Sequence, residues 1–231
     1  MVREHIAEPG TGTERVSAFL SETRFEDIPA AAVRVAKDAL VDWLAVALAG
    51  SRDRSTGIIG DYLKEFGARG EASVIGKGFR TTAELAALAN GTIGHALDFD
   101  DTFANSTRYN LHPSTCVFPA TLALIEREGL TGRDLLAAYI TGMEVTYRLG
   151  KAIGHLIPKT GWHSTPVMGT MGATAAGINA LHLTPEQARN ALGIGASLAG
   201  GLLRNTGTMT KPMHAGNGAR NGVIATLLAK R

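Results

Sequence analysis

The run His95-Ala-Leu-Asp98-Phe-Asp100-Asp101-Thr102, with His112-Pro-Ser114 ten residues further on, brings three carboxylates, two imidazoles and hydroxyl groups into twenty residues. Charged residues make up 19% of the chain, and the surroundings of this run are alanine, leucine and glycine, so the crowding calls for a chemical reason. Neighbouring carboxylates repel, and burial raises the cost of ionising them, so such a cluster perturbs proton affinities. The competing reading is a helix end running into a solvated loop, where Asp is ordinary. Two more polar clusters lie downstream, Gly161-Trp-His163-Ser-Thr165 and Thr208-Met-Thr-Lys211-Pro-Met-His214-Ala-Gly-Asn217. All fall between or at the ends of expected helices, where side chains and free backbone N–H groups can meet on a ligand. Carboxylate, imidazole, ammonium and hydroxyl together suit proton abstraction beside a carboxylate, with Lys and His holding the negative oxygens.

Residue by residue, Asp98 is expected to position or polarise a partner, and His112 is the candidate proton-transfer group. His163 and Lys211 complete the candidate catalytic set. Lys211, His163 and Thr102 are the candidate substrate-binding groups, with Lys211 as carboxylate anchor. Each has a plainer alternative: a capping hydroxyl for Thr102, packing beside Trp162 for His163, a solvated surface amine for Lys211. His95 lies on an apolar helix face and reads as structural. Asp38 and Asp42, in a long early helix, read as packing or pairing residues. A metal site built from Asp98, Asp101, His112 and His163 lacks any HExxH-type spacing, so no metal is assigned. The glycines form neither a GxGxxG fingerprint nor a P-loop, and Gly161-Trp-His-Ser is not a GxSxG elbow.

The elements that must hold these groups are helical. Apolar spacing predicts helices over 11–23, from Pro29 to Gly50, over 57–66, from a capped start at Thr81-Thr82-Ala83-Glu84 to about Leu97, and over 115–128 and 131–149 joined at Gly129. Further helices are expected over 166–181, 184–198 and 216–229, with one strand over 72–76. Small residues at helix contacts let backbones approach closely, which predicts a tight bundle. The apolar period runs on to Lys230-Arg231 without a stop signal, so the chain is expected to continue beyond Arg231.

Bulk properties narrow the class. The chain has 231 residues, 45% of them hydrophobic, and 23 bases against 21 acids, enough to bury a sizeable core. Its bases are scattered, which argues against a nucleic-acid groove or a polybasic membrane patch. The apolar segment over 33–49 contains Arg34, Lys37, Asp38 and Asp42 and reads as a core helix, and the polar Met1 to Gly10 is no signal peptide. A lone cysteine, Cys116, fits a reducing compartment and a cytoplasmic location. It also cannot ligate an iron–sulfur cluster of the dehydratase kind.

Several motifs occur together and in order: Asn90-Gly-Thr-Ile-Gly-His95-Ala-Leu-Asp98-Phe-Asp-Asp-Thr102, His112-Pro-Ser, Pro119-Ala-Thr-Leu-Ala, Gly161-Trp-His163 with 169–176, and Gly207-Thr-Met-Thr-Lys211-Pro-Met-His214-Ala-Gly-Asn217. In these the chain resembles the MmgE/PrpD family from Val16 onward. That family includes 2-methylcitrate dehydratase, cis-aconitate decarboxylase and iminodisuccinate epimerase. The resemblance implies an all-α domain over 1–231, the N-terminal part of a longer protein whose α+β lid is absent from this chain. It puts the pocket residues on Asp98, Thr102, His112, His163 and Lys211. It also implies a small di- or tricarboxylate substrate, no metal or organic cofactor, and a homodimer. The expected activity is a hydro-lyase of the 2-methylcitrate dehydratase kind, with decarboxylation and epimerisation served by similar groups. The rival expectation is a non-catalytic helical fragment or pseudoenzyme. A remote third reading is an all-α metal-dependent hydrolase.

Overall fold

Thr11, Thr131 and Thr184 open helices with one shared device. Each side chain accepts the N–H three residues on, and Glu14, Asp134 or Gln187 at that position reaches back to the threonine N–H. The computed structural model describes residues 10–66, 69–104 and 110–231; most of the polar N-terminal segment and part of the loop between Thr102 and His112 lie outside them. Within these residues are helices α1 (Gly12–Glu22), α2 (Ala30–Gly50), α3 (Arg54–Lys64), α4 (Ala83–His95), α5 (Ser114–Glu128), α6 (Gly132–Ile153), α7 (Ser164–Ala180), α8 (Pro185–Leu198) and α9 (Thr210–Ala229). Two short antiparallel hairpins accompany them. In one, β1 (Ala72–Val74) pairs with β2 (Phe79–Thr81), with Ala72 opposite Thr81. In the other, β3 (Phe103–Ala104) pairs with β4 (Asn110–Leu111). The architecture is all-α, as the sequence predicts. Among the described helices none is long and apolar enough to cross a membrane.

Three expectations need correction. Helix α3 starts at Arg54, three residues earlier than its apolar period suggests, because the Asp53 carboxylate accepts the Ser55 N–H at 2.8 Å and caps it. At α4 the Thr82 hydroxyl makes no capping bond and is buried without a partner. Glu71 takes the role from the strand side, its Oε2 accepting the Ala83 N–H at 3.1 Å, where a charged acceptor also meets the positive helix end. Helix α9 begins at Thr210 rather than Gly216. Pro212 falls in its first turn, where a missing N–H does no harm, so Lys211 sits on a helix and not in a loop.

Helices α4, α5, α7 and α9 form the centre, with α9 laid along both α4 and α7 and with α6 packed on α7. Their residues are small on nearly every side, the pattern of a helix buried all round. At the α4–α9 crossing, a Cβ on Gly216 would lie 2.1 Å from the Leu88 carbonyl oxygen and 2.4 Å from Thr92 Oγ1. Six buried hydroxyls are satisfied within their own helices: Thr92, Thr121, Thr146, Thr170, Thr174 and Thr226 each donate to the carbonyl four residues back. Gly216→Ala is therefore expected to force the two helices apart and to destabilise the fold by about 1–3 kcal/mol, or more if the backbone contact cannot relax. A urea midpoint equal to that of the parent protein would show that the crossing yields without cost.

Candidate active site

The site lies where the C-terminus of α4 meets the N-termini of α5, α7 and α9. His95 is the last residue of α4. Beyond it Asp98 adopts φ +59°, a left-handed conformation that Asp tolerates better than most residues. That turn swings Asp100 back beneath the helix end. The Asp100 side chain is fully buried, with its oxygens 2.9 and 3.0 Å from His95 Nδ1. An ionised carboxylate only accepts, so with Asp100 ionised the His95 proton sits on Nδ1. His112 precedes α5, and its backbone N–H donates to Thr165 Oγ1 at 3.1 Å. Its ring lies between two carboxylates, with Nδ1 3.4 Å from Asp100 and Nε2 3.6 Å from Asp98. The rings of His95 and His112 are 4.7 Å apart.

Opposite this pair stand His163, the N-cap residue of α7, and the first turn of α9. The Lys211 ammonium donates to Asp98 Oδ1. His214, one turn further along α9, sets its Nδ1 3.2 Å from that of His163. The structure thus brings Asp98, His112, His163 and Lys211 into one place. Thr102 is exposed. Three residues that sequence reasoning left out join the set: His95, Asp100 and His214.

Asp101 holds the floor of the site. It accepts the Ser114 N–H at 3.2 Å and the Ser114 hydroxyl at 2.7 Å, which caps α5 from outside. The Ser114 Oγ also lies 2.8 Å from the Tyr139 hydroxyl. Tyr139 in turn stacks on Phe118, and Phe118 on Trp43. The site floor is thereby continuous with the aromatic part of the core.

The electrostatics separate acids from bases. Burial pushes the Asp101 carboxyl up to about 6, against the Ser114 bonds and helped by the charges of Asp100 and Asp42. Burial alone would raise Asp98 too, but the hydrogen bond and charge of Lys211, with His112 and His95 behind it, hold that carboxyl below the usual range. Burial lowers His112, and the two aspartates pull it only part of the way back. Burial, with His95, His214 and Lys211 close by, drives His163 down to about 3, and burial lowers His214 as well. At neutral pH the lowered His112, His163 and His214 are therefore neutral imidazoles, with the Lys211 side chain beside them. One atom each from His95, Asp98, Asp100 and His112 lie within 4.8 Å of one another, a spacing that could receive a cation. The Lys211 ammonium already supplies positive charge to Asp98 there.

These shifts have opposite consequences for stability. The depressed His163 contributes stability above about pH 6.5, which is lost as pH falls through the folded value near 3. The raised Asp101 contributes stability that is full below about pH 4 and lost as pH rises through about 6. Between pH 6 and 4 the two slopes oppose each other. Asp101→Asn is expected to remove the second and leave a steeper acid loss in that window. Urea midpoints measured at several pH values would show it, and parallel curves for parent and variant would contradict it.

In chemical terms the arrangement offers an ammonium and three helix N-termini to an anion, and an imidazole between carboxylates to a mobile proton. The profile of the MmgE/PrpD N-terminal domain matches residues 14–231. Over 224 residues the chain is 34% identical to a cis-aconitate decarboxylase of Mus musculus, covering 94% of this chain and 45% of that protein. A cis-aconitate decarboxylase of Homo sapiens is 35% identical over 205 residues, covering 85% of this chain and 41% of that protein. One of Aspergillus terreus is 33% identical over 224 residues, covering 94% and 45%. This chain belongs to the MmgE/PrpD family and matches its N-terminal domain. It spans less than half the length of these curated relatives.

Proposed function

We propose that this chain is the helical part of a lyase that acts on a small citrate-like polycarboxylate by metal-independent proton transfer. The observation that carries the reading is the placing of His112 between Asp98 and Asp100, with the Lys211 ammonium on the same Asp98 oxygen. A substrate carboxylate is the natural exchange partner for Asp98 at Lys211. In its presence Lys211 and His163 stabilise negative charge building on a substrate oxygen, and His112 carries the proton. The similarity to cis-aconitate decarboxylases supports decarboxylation as the first reading. There the carbon–carboxylate bond breaks, its electron pair passes into the remaining conjugated carboxylate, and a proton from the site closes the new C–H bond. Dehydration of 2-methylcitrate, the reaction expected from sequence, uses the same groups: a base removes the proton beside a carboxylate and an acid protonates the departing hydroxyl. The position of the His112 ring between two carboxylates favours keeping this second reading.

The domain over 1–231 we take to work with a lid from the rest of a longer protein, as a homodimer in the cytoplasm. The buried lone Cys116 supports a reducing compartment. The test is to give the complete native protein cis-aconitate and 2-methylcitrate separately, following CO2 release and the double-bond absorbance. CO2 from cis-aconitate supports the first reading, and water loss from 2-methylcitrate the second. Tight binding of either without turnover would leave a carboxylate-binding pseudoenzyme and sink the catalytic proposal.

A further inference from the structure

The contact between His163 and His214 carries information beyond proximity. Their Nδ1 atoms are 3.2 Å apart, and both residues are more than nine-tenths buried. Two lone pairs do not face each other at that distance, so one nitrogen holds a hydrogen and the other accepts it. Burial, with no carboxylate among the described groups acting on either ring, disfavours a positive charge on both. A neutral pair sharing one Nδ1 proton is forced into complementary tautomers: whichever ring accepts at Nδ1 must carry its own proton on Nε2.

We infer that His214 is a positioning residue for His163, donating its Nδ1–H to His163 Nδ1 and so fixing His163 as a neutral donor through Nε2–H. The inference rests on the reading above that His163 meets an anionic substrate. The reverse assignment would turn a lone pair, not a hydrogen, toward a negatively charged oxygen. A neutral imidazole donor polarises an oxyanion without giving up its proton, which suits a ring held far from protonation.

The backbone is built to keep the two rings in this relation. Gly201 has φ +137°, a conformation open to glycine and little else. Its carbonyl accepts the His163 N–H at 2.8 Å. A Cβ there would stand 2.7 Å from Pro166 Cγ, 3.3 Å from His214 Cγ and 3.4 Å from His214 Nδ1. One glycine thus ties the backbone of the first histidine and borders the ring of the second. The bridge between Trp162 and Leu202, and the Leu203 N–H donated to the Gly161 carbonyl at 2.9 Å, extend the tie on both sides. His214 follows Lys211 by three positions on α9, so anchor and positioning ring share one helix face.

The experiment is a long-range proton–nitrogen correlation spectrum of the complete native protein labelled with 15N-histidine, with peaks assigned by single replacement of each histidine. The expected result is His163 protonated on Nε2 and His214 protonated on Nδ1. His214→Leu is expected to mix the His163 tautomers and to lower kcat/KM about 10²-fold, the lower range for a positioned proton donor, mainly through kcat. His214→Asn, whose amide can donate from nearly the same point, is expected to restore the Nε2–H tautomer and most of that loss. A His163 protonated on Nδ1 in the parent protein overturns the inference, and that spectrum decides it even if His214→Leu does not fold. An unchanged His163 spectrum in a folded His214→Leu does the same. Full activity of His163→Ala would instead remove His163 from the substrate site, a separate failure that leaves the tautomer assignment standing.

Discussion

Lys211→Ala is expected to lower kcat/KM by about 10²–10³-fold, the range found when one donor to a developing oxyanion is removed. The ammonium rests on the Asp98 carboxylate in this structure. A substrate carboxylate or enediolate-like oxygen competing for Lys211 meets a charge already delivered by the first turn of α9. Stability should scarcely change. The Asp98 side chain is 56% exposed, and ion pairs open to solvent contribute only about 0–1 kcal/mol. Asp98 itself should become a weaker acid. Its burial raises the carboxyl, and the variant lacks the Lys211 hydrogen bond and charge, the foremost of the effects that lower it. Steady-state kinetics and a melting curve on the same preparation check both halves. Parent-like kcat/KM would remove Lys211 from the site, and a collapsed melting temperature would assign it a structural role. Lys211→Arg should recover binding more than turnover, because guanidinium keeps the charge but not the compact point donor.

Much of this site is legible in the sequence because its motifs are local. Asp98, His112, His163 and Lys211 stand out as polar groups at helix ends in an apolar chain, and they meet. What periodicity could not supply was the set of partners. His95 falls on the buried face of α4, which the pattern predicts, and a buried histidine reads as structural until its partner is known. That partner, Asp100, is brought back by the left-handed turn at Asp98, a backbone event with no signature in apolar spacing. His214 was hidden by a boundary. A helix expected only from 216 onward leaves Lys211 and His214 outside it, whereas α9 begins at Thr210 and accommodates Pro212 in its first turn. The same limit applies at α4, where the local Thr-Thr-Ala-Glu pattern looks like a cap but the acceptor is Glu71, twelve residues before Ala83. The tight bundle, by contrast, follows from composition alone, because the glycines and alanines at the α4–α9 crossing leave no other separation for the helices.

The largest effect is expected at His112, whose removal takes away the proton carrier itself. His112→Ala should lower kcat by about 10²–10⁴-fold, the usual contribution of a general acid or base. Its backbone N–H, not its ring, is bonded to Thr165, so the entry to α5 should survive the change. Asp100→Asn separates the roles. Burial lowers His112, and the Asp100 charge is the strongest of the effects that raise it again. Neutralising Asp100 should therefore lower the His112 pKa further. Any limb of the pH–rate profile that reports His112 should then move to lower pH. The same change lets the His95 and His112 rings choose their tautomers freely, since an amide can donate as well as accept. Turnover should fall by about 10²-fold or more, in line with the loss of an orienting carboxylate behind a catalytic imidazole. Asp100→Asn with a lowered kcat but an unmoved pH profile would make Asp100 a packing residue beneath His95. A shifted profile would make it the group that sets when His112 can hold a proton, and would place the chemistry on the line from Asp100 through His112 to Asp98.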